Sequence, residues 1–105
     1  VDKDGRVYRI PDLRKMRESI FSVSISDAET VTTMRRLLRQ DKILLEPHGA
    51  VAYAGLENYE QQHGERKITK IVLETAHPGK FAGVIRDYLG FEPEIPPSLK
   101  GNSLK

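Results

Sequence analysis

The sequence predicts an α/β fold, a partial parallel sheet with flanking helices, and three observations point to it. Ile20-Phe21-Ser22-Val23-Ser24-Ile25 alternates apolar with polar residues, the pattern of a half-buried strand. Ile68–Leu73 is a short run rich in β-branched residues and suits a buried strand. Apolar residues recur at helical spacing after the first run and again after the second. The order strand, helix, helix, strand, helix calls for parallel strands joined by right-handed crossovers.

Taken along the chain, Val7–Ile10 has the composition for a further short strand. After the 20–25 strand, Ser26 opens a helix with Glu29 three residues on, the spacing at which each side chain satisfies an orphan backbone donor of the other. Ala28, Val31, Met34 and Leu38 share one face of it, Arg35, Arg36 and Arg39 turn elsewhere, and its end is predicted near Gln40. Pro47 suits the first turn of a second helix, which is apolar through Leu56 and wetter at Glu57, Glu60 and Gln61. His63-Gly64 is its stop. A last helix covers Gly79 to Leu89, with Phe81, Val84, Ile85 and Leu89 in register and Gly90 behind. From Glu92 onward three prolines predict a loop. Residues 1–97 are expected to form one α/β segment and 98–105 a disordered tail.

Bulk composition narrows the function classes. With 105 residues the chain is one domain or part of one. A net charge of +2, with basic residues interleaved among acids, gives no footprint for nucleic acid. There are no cysteines, which excludes disulfides, thiolate catalysis and zinc–cysteine sites. The longest apolar run, Ala50 to Leu56, falls far short of the roughly 20 residues that span a bilayer. The start at Val1 carries no signal-peptide pattern and no initiator methionine, which fits either processing or a piece of something longer. A soluble, cytoplasmic protein is the default expectation.

Ala50-Val51-Ala52-Tyr53-Ala54-Gly55-Leu56 does not suit an isolated small domain. It is apolar on every face, and such helices are normally enclosed on all sides. The expectation is that more protein packs here, with self-association through 50–56 when it does not. The competing reading places Tyr53 and Gly55 at a dimer contact.

Three segments depart from what packing alone requires. In Glu46-Pro47-His48-Gly49-Ala50, a helix amino terminus offers free amides and a field that favours anions. Glu46 there is either a plain cap or a carboxylate facing a bound group, and His48 either caps, packs or acts. Glu74-Thr75-Ala76-His77-Pro78-Gly79-Lys80-Phe81 follows the carboxyl end of the predicted second strand, the edge where open α/β sheets bind ligands. Thr75 either ends the strand, begins capping the helix, or puts a hydroxyl at the mouth of a site. Lys80 opposes the helix dipole and so faces an anion or solvent. The third, Ser24-Ile25-Ser26-Asp27, reads as structural capping. Other chemistries find no support: the three histidines lie 15 and 14 residues apart, not at metal-ligand spacing, and neither a dinucleotide nor a phosphate-binding loop is present.

Ser24-Ile25-Ser26-Asp27-Ala28-Glu29-Thr30, Leu45-Glu46-Pro47-His48-Gly49-Ala50-Val51-Ala52-Tyr53 and Glu74-Thr75-Ala76-His77-Pro78-Gly79-Lys80-Phe81 together resemble, in order and spacing, the carboxy-terminal stretch of the threonine synthases, fold-type-II pyridoxal-phosphate enzymes. The resemblance covers about residues 20 to 97, and the last block is its most specific part. Gly79 stands where alanine is commoner in that family. The resemblance implies a fragment of the larger, cofactor-bearing domain of an enzyme that converts O-phospho-L-homoserine and water to L-threonine and phosphate. It implies Thr75 as the hydroxyl facing the pyridine nitrogen and Glu46 on the same side of the cofactor. It implies no catalytic residue in this chain, no metal, and no assigned step for His48, His77 or Lys80.

The family's Schiff-base lysine sits in a Ser-x-Lys-Asp/Asn context, which none of the eight lysines here has. The resemblance therefore implies a chain that is inactive alone and does not hold pyridoxal phosphate covalently. The rival expectations are a stand-alone interaction module derived from such an enzyme, and a fragment of another fold-type-II lyase.

Overall fold

Asp12, Ser26 and Glu46 each accept from backbone amides just after them, and a helix starts at each. The computed structural model describes residues 1–100, and four α-helices lie among them: α1 (Leu13–Arg17), α2 (Asp27–Asp41), α3 (Pro47–His63) and α4 (Ala82–Leu89). Short 3-10 turns cover Pro78–Phe81 and Pro97–Leu99. The predicted 98–105 tail therefore begins inside a turn, and its residues 101–105 lie outside the described ones.

Each boundary has a local cause. Asp12 caps α1, a helix the sequence reading missed, by accepting from the Arg14 and Lys15 amides at 3.1 and 3.2 Å. Ser26 and Glu29 form the predicted reciprocal box: Ser26 Oγ accepts from the Glu29 amide at 3.2 Å, and Glu29 Oε2 accepts from the Ser26 amide at 2.8 Å. α2 stops where Lys42 enters the left-handed region (φ 58°). α3 stops at Gly64 (φ 82°) and α4 at Gly90 (φ 82°), as the glycines predict.

α3 packs along α2, and α4 touches α2. Met34, Ala50 and Ile85, one from each of these helices, form the sealed centre, with Leu44, Leu45, Phe81, Tyr88 and Leu89 around it. Arg36 ties α2 to α3, its Nη2 donating to both oxygens of the Glu57 carboxylate at 2.7 and 2.6 Å. The buried stripe of α2 is Thr30, Thr33, Met34 and Leu37 rather than the predicted Ala28, Val31, Met34 and Leu38. Two threonines lie inward, and the Thr30 hydroxyl is satisfied by the Ser26 carbonyl at 2.9 Å, so hydropathy alone misplaces the face.

The predicted α/β class is overturned: among the described residues the structure is helical, and no strand or sheet forms. Residues 20–25 and 68–73 have strand composition but belong to no helix or strand, and 7–10 is likewise irregular. A strand exists only through hydrogen bonds to a neighbour, and no neighbour is present for either. Their apolar side chains are bare in consequence: Ile20 is 55% exposed, Ile68 65%, Ile71 80% and Leu73 70%. The radius of gyration, 17.3 Å, exceeds the roughly 13 Å of a compact domain of this length.

α3 is enclosed on one side only. Ala50 and Ala54 are buried, whereas Val51 and Ala52 face outward. There the 20–25 segment lies across it, leaving an open groove of about 470 Å³ between Phe21, Val23 and Ile25 and Val51, Gly55 and Leu56. Among the described residues no helix is long and apolar enough to cross a membrane.

Candidate functional site

Leu44 and Leu45 pack on the core and draw the next residue inward, so Glu46 enters α3 with its side chain fully out of solvent. Pro47 occupies the first helical position, where a missing amide costs nothing. The Glu46 carboxylate then accepts three hydrogen bonds: from the Gly49 amide at 2.9 Å, the His48 amide at 3.0 Å and His48 Nδ1 at 2.8 Å. Burial pushes this carboxyl up, but the His48 and Gly49 donors outweigh burial and hold it below the ordinary carboxylate value. Glu46 is thus an ionised, buried cap. Because a carboxylate only accepts, the His48 proton sits on Nδ1. The rest of the His48 ring is exposed and lies 5.5 Å from the Phe81 ring, tilted by 57°.

After Gly64 the chain runs back along α3. Lys70 pairs with Glu60 on the helix and with Glu65 at 3.3 Å. Four residues on, Glu74 Oε1 accepts the backbone amide of Glu46 at 3.0 Å. That contact brings the Glu46 and Thr75 blocks, far apart in sequence, to one place at the foot of α3. Thr75 follows immediately, exposed, and its hydroxyl takes part in no hydrogen bond among the described residues.

The turn beyond Thr75 is built by its own side chains. His77 caps the 3-10 turn by accepting the Gly79 amide on Nδ1 at 2.9 Å, so its proton sits on Nε2, the opposite tautomer to His48. Gly79 is buried beneath the later chain: a Cβ there would stand 3.1 Å from the Glu94 carbonyl oxygen and 3.2 Å from Pro96 Cδ. Lys80 is exposed. The Ser24–Asp27 block is capping, as read, and its Ile25 lines the groove on α3.

Sequence reasoning missed Glu74. The signal lay in Gly49, since glycine in a helix's first turn is unfavourable unless something approaches closely. Here the Glu74 carboxylate occupies the space a Gly49 side chain would need, with its Cδ 2.9 Å from the Cβ position.

Two side-chain-capped turns, at Glu46 and at His77, thus flank the exposed Thr75 hydroxyl. The family model described as threonine synthase, C-terminal, matches residues 49–103, and the chain belongs to that family. It is 35% identical over 81 residues to threonine synthase of Schizosaccharomyces pombe, covering 75% of this chain and 16% of that protein. The Haemophilus influenzae threonine synthase is 38% identical over 81 residues, covering 76% of this chain and 18% of its own. The Serratia marcescens enzyme is 40% identical over 76 residues, covering 72% and 17%. The resemblance carried by the three motif blocks is therefore borne out. The chain spans about a sixth of the length of the curated relatives it matches. No solved structure matches it significantly.

Proposed function

We propose that this chain supplies one wall of the pyridoxal-phosphate site of a cytoplasmic threonine synthase, acting on O-phospho-L-homoserine. The observation that carries the reading is the Glu74–Glu46 contact at 3.0 Å, which presents the Thr75 hydroxyl beside the capped foot of α3. Thr75 fits the group expected of it: it is neutral, exposed and unengaged. Pyridoxal phosphate, when bound, supplies the electron sink for the reaction.

Thr75 would hold the pyridine nitrogen through its hydroxyl, a neutral partner that would not supply it with a charge. Glu46 serves differently from a direct ligand. Its carboxylate is buried and engaged by His48 and Gly49, so it holds the rigid turn on the cofactor's side. The lysine that carries the cofactor, the phosphate-holding loop and the substrate grip belong to the rest of a longer parent. The same missing protein covers the bare 20–25 and 68–73 segments by pairing with them, and covers the outer face of α3. Residues 1–97 work as a segment of the larger domain.

Thr75→Val in a full-length threonine synthase carrying this segment tests the reading. Losing one hydrogen bond to the cofactor lowers kcat by about 10- to 100-fold with circular dichroism unchanged. Unchanged turnover makes Thr75 no more than the end of an extended segment.

A further inference from the structure

We infer that Glu74 is a positioning residue: its carboxylate locks the Thr75 turn to the first turn of α3, and Gly49 is glycine to admit it. The inference deepens the cofactor reading, on which its functional half rests, while its structural half stands alone.

Three observations converge on Glu74. Its Oε1 accepts the Glu46 amide at 3.0 Å, one of the donors that the first turn of a helix leaves without an intrahelical partner. Its carboxylate fills the space of an absent Gly49 side chain, and Gly49 is itself buried. It also directly precedes Thr75 in the chain, so whatever holds Glu74 limits where the Thr75 hydroxyl can go. The Lys70 to Glu60 ion pair, four residues earlier in the chain than Glu74, lies toward the far end of α3. Glu74 is therefore the side chain whose hydrogen bond sets the distance between Thr75 and the Glu46 turn.

The two carboxylates at this helix foot divide the work. Glu46 caps from within, accepting the Gly49 and His48 amides, while Glu74 caps from outside, accepting the amide of Glu46 itself. Neither donor set overlaps the other, so losing Glu74 leaves the Glu46 cap in place. What is lost is the register between the two turns.

The test uses a full-length threonine synthase carrying this segment, with Glu74→Ala, Glu74→Gln, Gly49→Ala and the Gly49→Ala/Glu74→Ala double variant. In the stability cycle, Gly49→Ala displaces the Glu74 carboxylate from the Glu46 amide, so it is less favourable beside Glu74 than once Glu74 is alanine. Additive effects overturn the contact and the proposal with it. In kinetics, Glu74→Ala lowers kcat by about tenfold at little-changed KM, and Glu74→Gln, whose amide oxygen still accepts the Glu46 amide, restores most of it. A Glu74→Gln enzyme as slow as Glu74→Ala overturns the positioning role. A Glu74→Ala enzyme with unaltered kcat, alongside a Thr75→Val enzyme that is slow, also overturns it and leaves the cofactor reading standing. If Thr75→Val is itself without effect, the cofactor reading fails, and a coupled stability cycle still upholds Glu74 as the lock between the turns.

Discussion

Glu46 offers the sharpest test of how this chain is held together. Glu46→Ala removes the acceptor of the Gly49 and His48 amides at a place where the side chain has no contact with solvent. Loss of a side-chain cap costs about 1 kcal/mol, and leaving a buried donor unsatisfied about 1–3 kcal/mol. The two overlap, so the expected loss is about 2–3 kcal/mol, a factor of roughly 30 to 150 in the folding equilibrium. Glu46→Gln keeps an oxygen for Gly49 and is expected to cost about 1 kcal/mol. Urea unfolding followed by far-ultraviolet circular dichroism measures both.

The pH dependence adds an independent arm. The folded carboxyl of Glu46 lies below its unfolded value. Its stabilisation is therefore fully present above the unfolded value, about 4.3, and is lost as pH falls through the lower folded value. The gap between the parent chain and Glu46→Gln should be widest near about pH 7 and shrink below about pH 4. A Glu46→Ala loss under about 0.5 kcal/mol, or a gap that stays flat down to about pH 3, would refute the assignment of Glu46 as an ionised buried cap.

Two further outcomes are expected of the isolated chain. Val51 is 38% exposed and faces an apolar groove, so sedimentation at rising concentration should show self-association, and Val51→Glu should abolish it; a concentration-independent monomer removes that reading. None of the eight lysines has the family's cofactor-bearing context, so mixing with pyridoxal phosphate should give no specific visible-edge band. A stoichiometric borohydride-trapped adduct at one lysine would show that the chain carries its own attachment point.

Much of the site was legible in sequence because its signals are short. The Ser26–Glu29 box, the Pro47 entrance, the Gly64 and Gly90 stops and the three motif blocks each act within a few residues, and each recurs in the structure. The α1 helix was missed although Asp12 caps it, since Leu13–Arg17 buries nothing and shows no apolar period. Glu74 was missed because its partner lies 28 residues away.

What the sequence by itself determined is the family, the position within it, where α2 and α3 begin and where α3 and α4 end, because caps, breakers and motif residues work through the backbone next to them. Tertiary structure alone decided three things. The 20–25 and 68–73 segments stay single, since a ladder needs a partner strand and composition cannot provide one. The inward face of α2 includes Thr30 and Thr33, since burial follows the packing of α3 and α4 rather than hydropathy. And Thr75 stands beside the foot of α3, since one Glu74 carboxylate reaches the Glu46 amide across a space that Gly49 leaves open.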